Sequence, residues 1–123
     1  MVEIEEADDE EAEAFKLQGN KHFASKNYRQ AVECYSEAIS LAKCAQHVYY
    51  ANRSACYIAL GQFDEACEDA TVCVELKPGY VKGHYRKAQA LLEMGKHKEA
   101  AMAANAGIKT APSNVELRTL LTK

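Results

Sequence analysis

Ala31, Ala66 and Ala100 stand 35 and 34 residues apart, and each opens the same pattern. Four residues on come Tyr35, Ala70 and Ala104; seven on come Ala38, Cys73 and Gly107. The segments that carry them are SKNYRQAVECYSEA (25–38), LGQFDEACEDATVC (60–73) and MGKHKEAAMAANAG (94–107). Small or apolar residues at i, i+4 and i+7 are the packing stripe of an amphipathic helix. A helical stripe that recurs at this period implies a stack of like units, because one unit alone cannot bury its apolar face.

A second helical pattern precedes each of these segments: AEAFKLQGNKHFA, HVYYANRSACYIAL and VKGHYRKAQALLEM, each ending before a polar or glycine turn. The chain therefore predicts three helical hairpins. Gly19, Ser54 and Ala88 fall at equivalent places in the first helices, where the two helices of a hairpin must approach closely, with the bulkier Phe15, Tyr50 and His84 one turn earlier. After the third hairpin, TAPSNVELRTLLTK carries a helix stop at Pro112 and a candidate N-cap at Ser113 or Asn114. It predicts a last amphipathic helix over about 115–123 that covers the open face of the stack.

The period, the hairpin unit and the alternation of small and large residues resemble the tetratricopeptide-repeat family over residues 12–123. Repeat one carries an extra residue around AKCAQ, and repeat three lacks the aromatic on its second helix. The resemblance implies an all-α fold, an α-solenoid coiled as a right-handed superhelix of three hairpins with a C-terminal capping helix. The repeats are expected at about 12–46, 47–80 and 81–114. Residues 1–11 are expected to be a disordered acidic tail.

At 123 residues, nearly half of them apolar and with two prolines, the composition fits one soluble, helical domain. Its acidic N-terminus and the lack of a long apolar run give no sign of a targeting signal or a membrane span. The expected compartment is the cytoplasm, with the nucleus as an extension. Cys34, Cys44, Cys56, Cys67 and Cys73 are odd in number and form no C-x-x-C pair, so they read as small apolar helix residues, with Cys44 in a turn. His22, His47, His84 and His97 show no metal-ligand spacing, and no nucleophile–base pattern or phosphate-cradling loop is present. Neither an enzyme nor a cofactor or metal is expected. The Asn52-Arg53-Ser54 sequon reads as a chance match inside a helix.

Charge is uneven. Eight of the eighteen acidic residues lie in positions 1–13; from residue 14 onward fifteen basic residues face ten acidic ones. The body of the domain is thus mildly basic and suits an anionic partner. In a stack of this kind the first helices line the concave face. With Phe15, Gly19 and His22 packed inward, the complementary stripe presents Lys16 and Asn20 from repeat one, Asn52 from repeat two, and Lys82 and Arg86 from repeat three. All five are hydrogen-bond donors, and no acid is expected beside them, so the groove suits a compact anion rich in oxygens.

The motifs KLQGN, ANRSA and KGHYRK are similar to the dicarboxylate-clamp subclass of the family, found in co-chaperones. The resemblance implies that Lys16, Asn20, Asn52, Lys82 and Arg86 hold the terminal and side-chain carboxylates of a C-terminal aspartate. The ligand so implied is the Glu-Glu-Val-Asp tail of heat-shock chaperones of the seventy- and ninety-kilodalton classes. Phe23, Ala55, Ile58 and Tyr85 fall near the same groove and are candidates for an apolar shelf under the residues upstream. A short peptide in an open groove suggests an affinity on the order of micromolar, weakening with salt. Two alternatives remain open at this point: a scaffold for another acidic surface or single-stranded nucleic acid, and the targeting module of a larger enzyme. The acidic stretch could also fold over the basic groove and compete with ligand.

Overall fold

The computed structural model describes the backbone of residues 2–121 and the side chains of residues 9–121. Among them are seven helices and no strand: α1 (Val2–Ala24), α2 (Tyr28–Leu41), α3 (His47–Ala59), α4 (Phe63–Leu76), α5 (Val81–Glu93), α6 (His97–Thr110) and α7 (Val115–Leu121). α1 packs on α2, α3 on α4 and α5 on α6, and successive hairpins join through α2 on α3 and α4 on α5. α7 lies against α5 and α6. Residues 122 and 123 of the expected capping helix lie outside the described residues.

The N-terminal boundary differs from expectation. The acidic stretch expected to be disordered is the opening of α1, which runs from Val2. Glu and Ala are strong helix formers, and no glycine or proline interrupts residues 2–18.

The periodic stripes are the core. Ala31, Tyr35 and Ala38 of α2, Ala66, Ala70 and Cys73 of α4, and Ala100, Ala104 and Gly107 of α6 are all buried. Gly19, Ser54 and Ala88 are buried at the predicted crossings, and the Ser54 hydroxyl donates to the Ala66 carbonyl at 2.7 Å. The free lone pair of a helical carbonyl is thereby used rather than left dry. On α7, Leu117 and Leu120 close over Ala88, Leu91, Ala100, Ala103 and Ala104. Each leucine so buried is worth about 1.5–3 kcal/mol. Asn114 caps this helix: its Oδ1 accepts the Leu117 N–H at 2.9 Å.

The repeat extends to the turns. Lys26, Gly61 and Gly95 take positive φ of 64°, 78° and 78° between the helices of each hairpin. In each case the next amide bonds back five residues, Asn27 to His22 at 2.8 Å, Gln62 to Tyr57 at 2.8 Å and Lys96 to Leu91 at 2.9 Å. That is the Schellman closure of a helix end. Repeat one makes it with lysine, at a cost of roughly 1–2 kcal/mol relative to glycine.

Candidate carboxylate-binding groove

Three first helices and one second helix meet at a groove of about 160 Å³. Asn20 and Phe23 come from α1, Ala51, Asn52 and Ala55 from α3, Lys82 and Arg86 from α5, and Tyr35 from α2. Four of the five expected anion-binding residues are thus brought to one cavity. Lys82 and Arg86 are one helical turn apart and share a face of α5. Lys82 is exposed and Arg86 half-buried, and neither has an ion-pair partner among the described residues. The Arg86 guanidinium is steadied at its edge: Nη1 donates to Gln89 Oε1 at 3.1 Å, and Cζ sits 5.5 Å from the Tyr85 ring centroid.

The fifth residue, Lys16, lies one turn before Asn20 on α1 and does not line this cavity. Its Nζ is 2.8 Å from Glu13 Oε2, and the Tyr49 hydroxyl donates to Glu13 Oε1 at 3.3 Å. The expectation of no acid beside the cations is corrected here. Glu13 precedes Lys16 by three residues, so the two share a helix face. The acid is about half exposed, and such a surface pair is worth only about 0.2–0.5 kcal/mol, so a ligand carboxylate can displace it. Tyr80 lies within the electrostatic reach of both Arg86 and Lys16. Burial raises its hydroxyl above the ordinary tyrosine value, Cys73 adds to this, and Arg86 and Lys16 both act on it in the opposite direction.

The amides are ordered by their neighbours. Asn20 Oδ1 accepts from the Tyr35 hydroxyl at 2.6 Å and from Asn52 Nδ2 at 3.4 Å. Among the described residues no acceptor takes the Asn20 N–H pair or the second N–H of Asn52. Of the expected apolar shelf, Phe23 and Ala55 line the groove, Phe23 meeting Tyr28 edge-on at 5.5 Å. Tyr85 instead lines an adjoining cavity of about 350 Å³, with Lys82, Arg86, Asn114 and Glu116. Ile58 is half-buried and lines neither cavity.

Arg53, beside Asn52 in the ANRSA motif, faces elsewhere. Its Nε and Nη2 donate to Asp69 at 2.7 and 2.8 Å, and its Nη1 donates to Ser36 Oγ at 3.0 Å. It tethers α3 to α2 and α4. A larger cavity, about 540 Å³, lies on the opposite side of α5 behind His84, Lys87 and Leu91; its two charged walls, Lys87 and Glu99, have opposite signs. It lacks the converging donors of the smaller groove. Sequence reasoning missed Tyr35 as a groove residue and Gln89 as the partner that steadies Arg86. Tyr35 sits in a packing stripe and reads as core, and nothing in one dimension shows where its hydroxyl ends.

Residues 3–88 match the family profile for the tetratricopeptide repeats of serine/threonine-protein kinase BSK1-like proteins, and residues 81–114 match a general tetratricopeptide-repeat profile. The chain belongs to the tetratricopeptide-repeat family. This repeat domain is 42% identical over 112 residues to the STIP1 homolog of Dictyostelium discoideum, covering 91% of the domain and 20% of that protein. It spans about a fifth of the length of the curated relatives it matches. Among solved structures, the first repeat domain of Spaghetti (RPAP3) bound to the HSP90 peptide SRMEEVD superposes with a TM-score of 0.87 at 28% identity, over 92% of this domain and 89% of that chain. The second repeat domain of human RPAP3, in complex with the HSP70 peptide SGPTIEEVD, gives 0.86 at 29% identity, over 91% and 92%. No described helix is long and apolar enough to cross a membrane, and the described residues contain no cluster of three metal-ligating side chains.

Proposed function

We propose that this tetratricopeptide-repeat domain is a binding module that takes the free C-terminal Glu-Glu-Val-Asp tail of cytosolic heat-shock chaperones. The observation that carries the reading is the convergence of Asn20, Asn52, Lys82 and Arg86, from three different repeats, on one small groove. A chain-terminal aspartate offers two carboxylates a few ångströms apart. Two cations bridged by amide donors match that pair, and an internal aspartate, with one carboxylate, does not. Lys16 joins when the incoming carboxylate replaces Glu13. Phe23 and Ala55 form the apolar wall for the valine. The domain works by holding a peptide and performs no chemistry itself. Since its relatives are several times longer, it serves as the chaperone-targeting part of a co-chaperone in the cytoplasm.

A titration of a labelled peptide ending in Glu-Glu-Val-Asp against its C-terminally amidated twin tests this. The free acid binds at on the order of micromolar Kd, and the amide is much weaker. A hydrogen bond to a charged group is worth about 1.5–3 kcal/mol, so Lys82→Ala or Arg86→Ala weakens binding by roughly ten- to a hundredfold. Equal binding of acid and amide, or affinity indifferent to salt, would sink the reading.

A further inference from the structure

We infer that Tyr35 makes the groove selective for a carboxylate, by holding the Asn20 amide with its oxygen inward and its N–H pair toward the ligand. This rests on the peptide-binding reading above and adds a residue on α2, outside the concave helices that supply the donors.

Tyr35 reaches the groove because Gly19 on α1 has no side chain: a Cβ there would lie 2.6 Å from Tyr35 Cε1 and 2.9 Å from Cδ1 and Cζ. The ring, 2% exposed, is wedged beneath α1, and its hydroxyl ends 2.6 Å from Asn20 Oδ1. Burial, followed by Cys56 and Cys34, drives the hydroxyl far above its ordinary value, so it remains a protonated donor. Asn52 Nδ2 approaches the same oxygen at 3.4 Å. Two donors occupy both lone pairs of one amide oxygen. The rotated amide would set Asn20 Nδ2 against Asn52 Nδ2, donor against donor, and would turn an oxygen toward the incoming carboxylate. Tyr35 therefore acts as a positioning residue, and a groove that would otherwise mix donors and acceptors presents donors alone. Such a groove favours a free carboxylate over the carboxamide that differs from it by one N–H₂.

Tyr35→Phe keeps the ring and removes only the hydroxyl. With the free-acid and amidated peptides as probes, the variant binds the free acid about fivefold more weakly, as befits one hydrogen bond to a neutral group. The ratio of acid to amide affinity narrows with it, a change that a general loosening of the fold does not produce. In an Asn20→Ala background, Tyr35→Phe has no further effect. In the ligand-free domain, the Asn20 side-chain amide resonances shift on Tyr35→Phe. An unchanged acid-to-amide ratio, an equal loss in the Asn20→Ala background, or amide resonances that ignore the substitution each overturn the inference. Failure of the parent domain to bind the free acid overturns the peptide-binding reading instead, and the resonance measurement still decides whether Tyr35 sets the amide.

Discussion

Arg53→Ala separates what the fold needs from what the ligand needs. Arg53 and Arg86 both sit on first helices, and charge alone gives them equal claim to a bound anion. In the structure Arg53 makes a two-pronged pair with Asp69 at 2.7 and 2.8 Å, bonds Ser36 at 3.0 Å, and lies 5.7 and 5.8 Å from the Tyr50 and Tyr57 ring centroids. The Asp69 side chain is 8% exposed and that of Arg53 20%. Removing one partner of a buried pair costs about 3–5 kcal/mol, because the remaining charge stays desolvated. The partial exposure of Arg53 argues for the lower end, about 3 kcal/mol. With an unfolding entropy of about 2.1 cal/mol/K per residue, a chain of 123 residues loses roughly 12 °C in Tm for that penalty. Far-UV circular dichroism on heating reads the shift, and peptide titration well below the new Tm reads affinity, which stays within about twofold of the parent. Arg53→Ala with Asp69→Ala recovers part of the loss, since the stranded carboxylate is gone. A Tm drop under about 3 °C, or a double variant whose loss is the sum of the singles, would refute the buried-pair account. A tenfold fall in peptide affinity at full folding would place Arg53 in the groove after all.

Two further outcomes follow from burial. Among the cysteines Cys44 is exposed, whereas Cys56 and Cys73 are buried with thiols pushed up to about 12 and about 11 by desolvation. Alkylation at mildly alkaline pH, mapped by mass spectrometry, should modify Cys44 first and reach Cys56 and Cys73 only after denaturation; early labelling of either would show that the core opens. His47 packs edge-on to Tyr80 at 4.6 Å, and burial, then Lys77, hold its pKa below the usual histidine value. A base depressed in the folded state binds more protons when unfolded, so its contribution is complete above about pH 6.5 and is lost as pH falls below that. Tm should drop between pH 7 and 5.5, less so in His47→Gln, and an identical pH profile for the two proteins would contradict the assignment.

The sequence by itself determined the features that are periodic along the chain. The spacing of Ala31, Ala66 and Ala100 sets three second helices and their buried stripes, because a helix repeats every few residues whatever surrounds it. The same periodicity puts Lys82 and Arg86 on one face of α5, and the family resemblance marks the donors that share it. Tertiary structure alone decided matters that turn on where side-chain ends meet. Tyr49 of α3 reaches across to Glu13, the acid that pairs with Lys16. Ile58 is absent from the groove's lining, and Tyr85 lines the cavity beside it. Arg53 and Arg86 illustrate the division. They are the same residue type on equivalent helices, and only the packing of α3 between α2 and α4 buries one against Asp69, while α5 leaves the other facing the groove. Tyr35 is the counterpart among core residues. Its place in the stripe is legible, but its hydroxyl becomes part of the site only because α1 crosses α2 at Gly19 closely enough for a phenol to span the gap. Distances between helices are set by the volumes of all the side chains at a crossing together, and no pattern along a single chain records that sum.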